Sequence, residues 1–120
     1  MASDIYHEPL ELLSGDTRDM HRAIVSLMEE LQAIDWYQQR VDACVDQQLK
    51  DVLLHNKNEE IEHATMLMEW IRRHNGHVDQ MMRKYLFAEP PVAGLEHGAE
   101  TSGPAVAVVE TLGIGSMKGR

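Results

Sequence analysis

Two long stretches of this chain repeat apolar residues every three or four positions, the spacing that collects side chains on one face of an α-helix. In the first, Met20, Ile24, Leu27, Leu31 and Ile34 form one line, and Ala23, Leu27, Glu30, Ile34, Tyr37 and Val41 form its neighbour. In the second, steps of 4, 3, 4, 3, 4 and 3 run through Leu49, Leu53, Asn56, Glu60, His63, Leu67 and Trp70. That is the heptad rhythm of one helix packed on another. The pattern predicts two helices of about 30 residues each, folded into an antiparallel hairpin. Pro9 suits a first helical turn, but Ser14-Gly15 leaves the start of the first helix open between Pro9 and Asp16. No Pro or Gly interrupts Asp16 to Lys57, so the break is placed near Asp42 to Gln48, with Asp46 as N-cap of the second helix. Asn75-Gly76 ends that helix after about His74.

A shorter third helix is expected from Val78 to Phe87, with Val78, Met81, Met82 and Tyr85 at helical steps and Glu89-Pro90-Pro91 as its stop. Beyond Pro91 small and polar residues dominate without a sustained period, the composition of a flexible linker. The chain then closes on LGIGSMKGR, apolar residues set among glycines. The domains read as 1–95 helical, 96–111 linker and 112–120 a short terminal peptide. The fold class is all-α. One hairpin cannot bury both apolar faces, so the fold is expected to be completed by a second copy, as a two-fold dimer forming a four-helix bundle.

The chemistry lies where the seams turn polar. Burying a carboxylate is costly without a partner, so an inward Glu60 and His63 demand one. Glu60-x-x-His63 sets both side chains one turn apart. An inward Glu-x-x-His, joined by a single Glu from a facing helix, is half of the ligand set of a di-iron bundle. Here that single residue is Glu30, and a symmetric dimer supplies the other half. Carboxylates with imidazole suit iron and leave positions for dioxygen. The bland alternative is a polar seam that pairs with a basic group and sets register in a metal-free scaffold, with Asn56 in that role. Tyr37 lies seven residues beyond Glu30 on the same seam, as a candidate to orient a ligand or as a packing tyrosine. Trp36, beside it, reads as packing. His55, Glu59 and Glu62 share another face at i, i+4 and i+7, either a peripheral cation site or a solvated acidic face. Glu29 lines an approach for cations or is an ordinary surface residue. His7, His21, His74, His77 and His97 show no ligand spacing.

A formal net charge of −9 over 120 residues argues against nucleic-acid binding and suits attraction of metal cations. A single cysteine, Cys44, rules out a disulfide framework within a chain and makes thiolate metal sites unlikely, so a reducing cytoplasm is the expected compartment. MASDIYHEP has no apolar core of a signal peptide, and no apolar run reaches the ~20 residues of a membrane span.

With these residues in hand the chain resembles the encapsulated ferritins. The likeness rests on HEPLELL, HRAIVSLMEELQAIDWYQQRVDA, HNKNEEIEHATMLMEWIRR and KYLF, in that order. The tail LGIGSMKGR resembles the peptide that loads such cargo into an encapsulin shell, with Leu112, Gly113, Ile114 and Gly115 as its core. The resemblance implies a ferritin-like bundle, a ring-shaped decamer of five dimers and ferroxidase activity at a di-iron centre between subunits. It implies Glu30, Glu60 and His63 as ligands with Trp36 and Tyr37 flanking, Glu29 where metal enters, and a further cation at His55, Glu59 and Glu62. The chain departs from the family at Gln32, where a second carboxylate of the metal inlet is common. A neutral amide there weakens cation capture. A di-metal protein handling peroxide instead of dioxygen is the other reading left open.

Overall fold

The structure is a computed structural model and describes residues 5–98. The terminal peptide at Leu112 to Gly115 and the linker from residue 99 lie outside the described residues. Among these residues every regular element is helical, which bears out the all-α class. They fall into two units, divided after Asn75.

The first unit is the hairpin. Pro9 leads into a single 3-10 turn, Leu10–Leu12, and α1 follows as Gly15–Ala43. The ambiguity at the start resolves because Ser14 is the better cap. Its hydroxyl accepts the Thr17 backbone N–H at 3.1 Å, satisfying an amide the first turn leaves free. The Arg18 guanidinium donates to the Leu10 carbonyl and ties the 3-10 turn to α1. α1 ends at Ala43; Cys44 and Asp46 are both extended, and Val45 between them is almost fully exposed. Asp46 then caps α2, Gln47–His74, by accepting the Leu49 N–H at 2.8 Å. The short link forces antiparallel packing, and the cross-helix contacts agree: Gln38 meets Lys57, while Glu30 meets His63. At the far end of α2, the His74 ring donates to the Trp70 carbonyl at 2.8 Å. Asn75 is extended and Gly76 begins the next helix, so no left-handed glycine cap forms there.

The best-covered line of α1 runs Ala23, Leu27, Glu30, Ile34, Tyr37 and Val41, the second of its two expected seams. On α2 the covered line is Leu53, Lys57, Glu60, Ala64, Leu67 and Ile71. It shares Leu53, Glu60 and Leu67 with the expected seam, but Lys57, Ala64 and Ile71 stand where Asn56, His63 and Trp70 were expected. The physical reason is close approach. Ala64 is 1% exposed and Ala23 is 8% exposed, and alanines let two backbones come nearest. Much apolar surface stays open, including Ile24 and Leu31 on α1 and Leu49, Val52 and Ile61 on α2.

The second unit holds α3, Gly76–Tyr85, which starts two residues earlier than expected. Arg83 pairs with Asp79 one turn back at 3.1 Å. The helix is closed by Phe87, whose φ of 62° is left-handed, with the Leu86 N–H returning to the Met82 carbonyl at 2.8 Å. After the prolines come a 3-10 turn at Val92–Gly94 and the four-residue α4, Leu95–Gly98, with Leu95 buried. The composition had suggested only linker here. A short turn leaves no period to read, and it is held by a contact, Lys84 donating to the Glu96 carbonyl at 3.1 Å. No helix among the described residues is long and apolar enough to cross a membrane.

Candidate metal centre

Glu30 stands at the middle of the covered line of α1, and Glu60 stands opposite on α2. The helix advance carries His63 one turn past Glu60 and one residue short of Ala64, so its ring falls at the edge of the helix interface rather than inside it. Its side chain is 48% exposed, whereas those of Glu30 and Glu60 are 25% and 24% exposed. One ligand atom of each residue lies within 4.8 Å of the others. His63 Nδ1 is 3.0 Å from Glu60 Oε1 and 3.9 Å from Glu30 Oε1.

Two carboxylates this close cannot both stay ionised without a cation. The Glu30 carboxyl is pushed up, first by its hydrogen bond to Glu60, then by burial and the charge of Glu60. Glu60 is pulled down, first by that same bond and then by the bond from His63. His63 is raised, chiefly because the Glu60 carboxylate favours the imidazolium. The three groups therefore hold protons between them at the place where positive charge is needed. Glu29 adds to the upward push on Glu30, and Glu59 to that on His63, so both contribute negative potential at the site. A metal ion supplies the same positive charge with fixed coordination, and two carboxylates with one imidazole are a fitting donor set for it. The set is also short of a full coordination shell and open on the side of His63.

The other expected residues are placed as follows. Tyr37 is half-buried, two turns along α1 from Glu30, and the Arg40 guanidinium lies 5.5 Å from its ring centroid. Trp36 is 49% exposed on the outer side of α1. Glu29, His55, Glu59 and Glu62 are exposed. His55, Glu59 and Glu62 share a face, but among the described residues only Glu30, Glu60 and His63 converge as a triad. Two features escaped the sequence reading. Arg40 over Tyr37 was signalled by their three-residue spacing. The Lys57 ammonium donates to Gln38 Oε1 at 2.5 Å across the hairpin, and no short-range pattern announces a pair nineteen residues apart.

Residues 5–89 match the EncFtn-like family. The chain is 48% identical to an encapsulated ferritin-like protein of Rhodospirillum rubrum, over 98% of this chain and 91% of that one. It is 45% identical to a ferritin-like protein of Thermotoga maritima, over 93% and 96% of the two chains. A crystallographically solved protein from Nitrosomonas europaea superposes with a TM-score of 0.71 at 57% identity, covering 73% of this chain and 97% of that one.

Proposed function

The chain belongs to the EncFtn-like family, and from that premise we propose that it is a ferroxidase, oxidising ferrous to ferric iron with dioxygen at a di-iron site shared by two copies. The observation that carries this reading is the convergence of Glu30, Glu60 and His63 within 4.8 Å. Each copy offers two carboxylates and one imidazole, and two copies related by a two-fold axis offer four and two, the complement of a di-iron bundle. One hairpin also leaves apolar surface open, Ile24, Leu31 and Ile61 among it, which further copies would cover.

In this reading iron is the substrate. Glu29 and Glu59 raise the local concentration of ferrous ions by their charge. As the ions bind, Glu30 and His63 give up their protons and their oxygen and nitrogen atoms become ligands. Carboxylate ligands favour ferric over ferrous iron, which lowers the cost of electron loss. Each of two ferrous ions yields one electron. Dioxygen takes both, with two protons, and leaves as hydrogen peroxide. The neutral Gln32 attracts cations less than a carboxylate there does. His55, Glu59 and Glu62 form a candidate resting place for a further cation.

Replacing Glu60 by Ala tests the site. Anaerobic protein loaded with ferrous iron and mixed with oxygenated buffer is expected to lose its fast phase of oxidation in E60A, by at least about a hundredfold. Oxidation at the parent rate in E60A sinks the assignment. Failure of the parent protein to take up iron at two ions per dimer favours the metal-free scaffold. Faster initial turnover with peroxide than with dioxygen favours the peroxide-handling alternative.

The hairpin encloses little volume, so mineral storage needs another container. The relative from Rhodospirillum rubrum is named as encapsulated, and we assign this chain to the interior of an encapsulin shell, with a ring of copies held there by Leu112, Gly113, Ile114 and Gly115. Leu112 and Ile114 would anchor in a groove while the glycines let the backbones approach. Deleting Leu112 to Arg120 is expected to leave iron oxidation intact and to abolish co-purification with the shell.

A further inference from the structure

We propose that Met66 is the preferred oxidation target among the described methionines, its thioether taking an oxygen atom from hydrogen peroxide ahead of Met20, Met28, Met68, Met81 and Met82. Met66 is 64% exposed, and each of those five methionines is more covered. Exposure decides sulfur reactivity among otherwise equal thioethers.

Its position adds a second argument. Ala64 faces α1, and Met66 follows two residues later, about 200° around the helix. His63 precedes Ala64 by one residue. Met66 therefore lies on the same flank as His63, about 60° farther from α1. Glu62 and Glu59 lie one and two turns before Met66 on that exposed face. On the ferroxidase reading, peroxide formed at the triad arises on the same flank of α2 as this exposed sulfur.

The step balances without a further reagent. A sulfur lone pair attacks one oxygen of hydrogen peroxide and the O–O bond breaks. That oxygen stays on sulfur, its proton moves to the departing oxygen, and water leaves. Sulfur loses two electrons and the peroxide is reduced by two. The source of peroxide rests on the ferroxidase reading, in which two ferrous ions reduce dioxygen by two electrons. Each chain thereby removes one equivalent of peroxide close to where it forms.

The test uses the full-length assembled protein in two arms, with sulfoxides mapped by peptide mass spectrometry. In the first, iron-free protein receives limiting hydrogen peroxide. Met66 sulfoxide is expected at about fivefold or more over the fastest of the other five. Equal rates, or another of the five leading, overturn the proposal. In the second, ferrous iron is loaded in air with and without catalase. The same order is expected, suppressed by catalase, and M66L is expected to lose the leading sulfoxide while oxidising iron at the parent rate. Iron oxidised while Met66 stays unmodified overturns the proposal and leaves the ferroxidase reading standing. No iron oxidation at all removes the ferroxidase reading, and the first arm alone then decides for or against Met66.

Discussion

Glu60 shows how much one residue is asked to do. It lies on the contact line of α2, shares a hydrogen bond with Glu30 and accepts another from His63. Its neighbours at the site differ in what they owe to the fold. His63 is half-exposed at the edge of the interface, so removing its ring should cost the hairpin little. H63A is expected to leave the denaturant midpoint of unfolding close to the parent's. If His63 is a ligand as proposed, the same variant should weaken ferrous binding by at least about tenfold in calorimetry. A second prediction concerns acid. Glu69 accepts from Arg72 at 2.8 Å and Arg73 at 2.7 Å, and these bonds, Arg72 first, hold its carboxyl down to about 2. A depressed folded value means that the stabilisation is complete above the ordinary carboxylate range, near 4.5, and fades as pH falls toward 2. Its side chain is 42% exposed, so solvent screening keeps the contribution below about 1 kcal/mol. E69Q should therefore be less stable than the parent at pH 7 by about 0.5 kcal/mol. The gap should close on acidification, as read from urea midpoints. A gap independent of pH would show that charge is not its origin.

The helices themselves were largely legible in the chain. Their apolar spacing, the Asp46 cap and the Asn75-Gly76 stop are local features, and α2 begins and ends where they point. Asp46→Ala is expected to cost about 1 kcal/mol by leaving the Leu49 amide uncapped, while Asp46→Asn, which keeps an acceptor, should restore most of it. Equal losses in both variants would refute the capping role. Less legible was the rotation of α2. Both His63 and Ala64 fall near a plausible seam, and the spacing alone favoured His63. Contact with α1 went to Ala64 because the smallest side chain permits the closest backbones. Ala64→Leu should therefore cost about 2 kcal/mol by overpacking the interface next to Glu60. A neutral result in thermal unfolding would mean that the helices can move apart freely. The turns at residues 92–98 could not be read at all, since four helical residues carry no periodicity.

For the molecule as a whole, the decisive quantity is the apolar surface a single hairpin leaves bare. Ile61 is 42% exposed, on the flank of α2 away from His63, and Leu31 is 47% exposed on α1. Such positions favour association, so Ile61→Glu is expected to lower the native mass of the assembly in native mass spectrometry while the circular dichroism of the helices is kept. An unchanged mass would mean that this flank is not an interface. If two copies share the site as proposed, ferrous loading is expected to raise the population of paired chains, because a ligand stabilises the state that binds it. At this scale the chain by itself determined two long helices, their capped ends, an excess of acidic residues and the spacing that sets Glu60 and His63 one turn apart. These follow from spacing and composition, which neighbours along the sequence settle among themselves. Only the tertiary structure decided which line of α2 meets α1, and hence that His63 stands at an open edge with its nitrogen between two carboxylates. That choice depends on how closely two backbones approach, a property of both helices together and of no single residue.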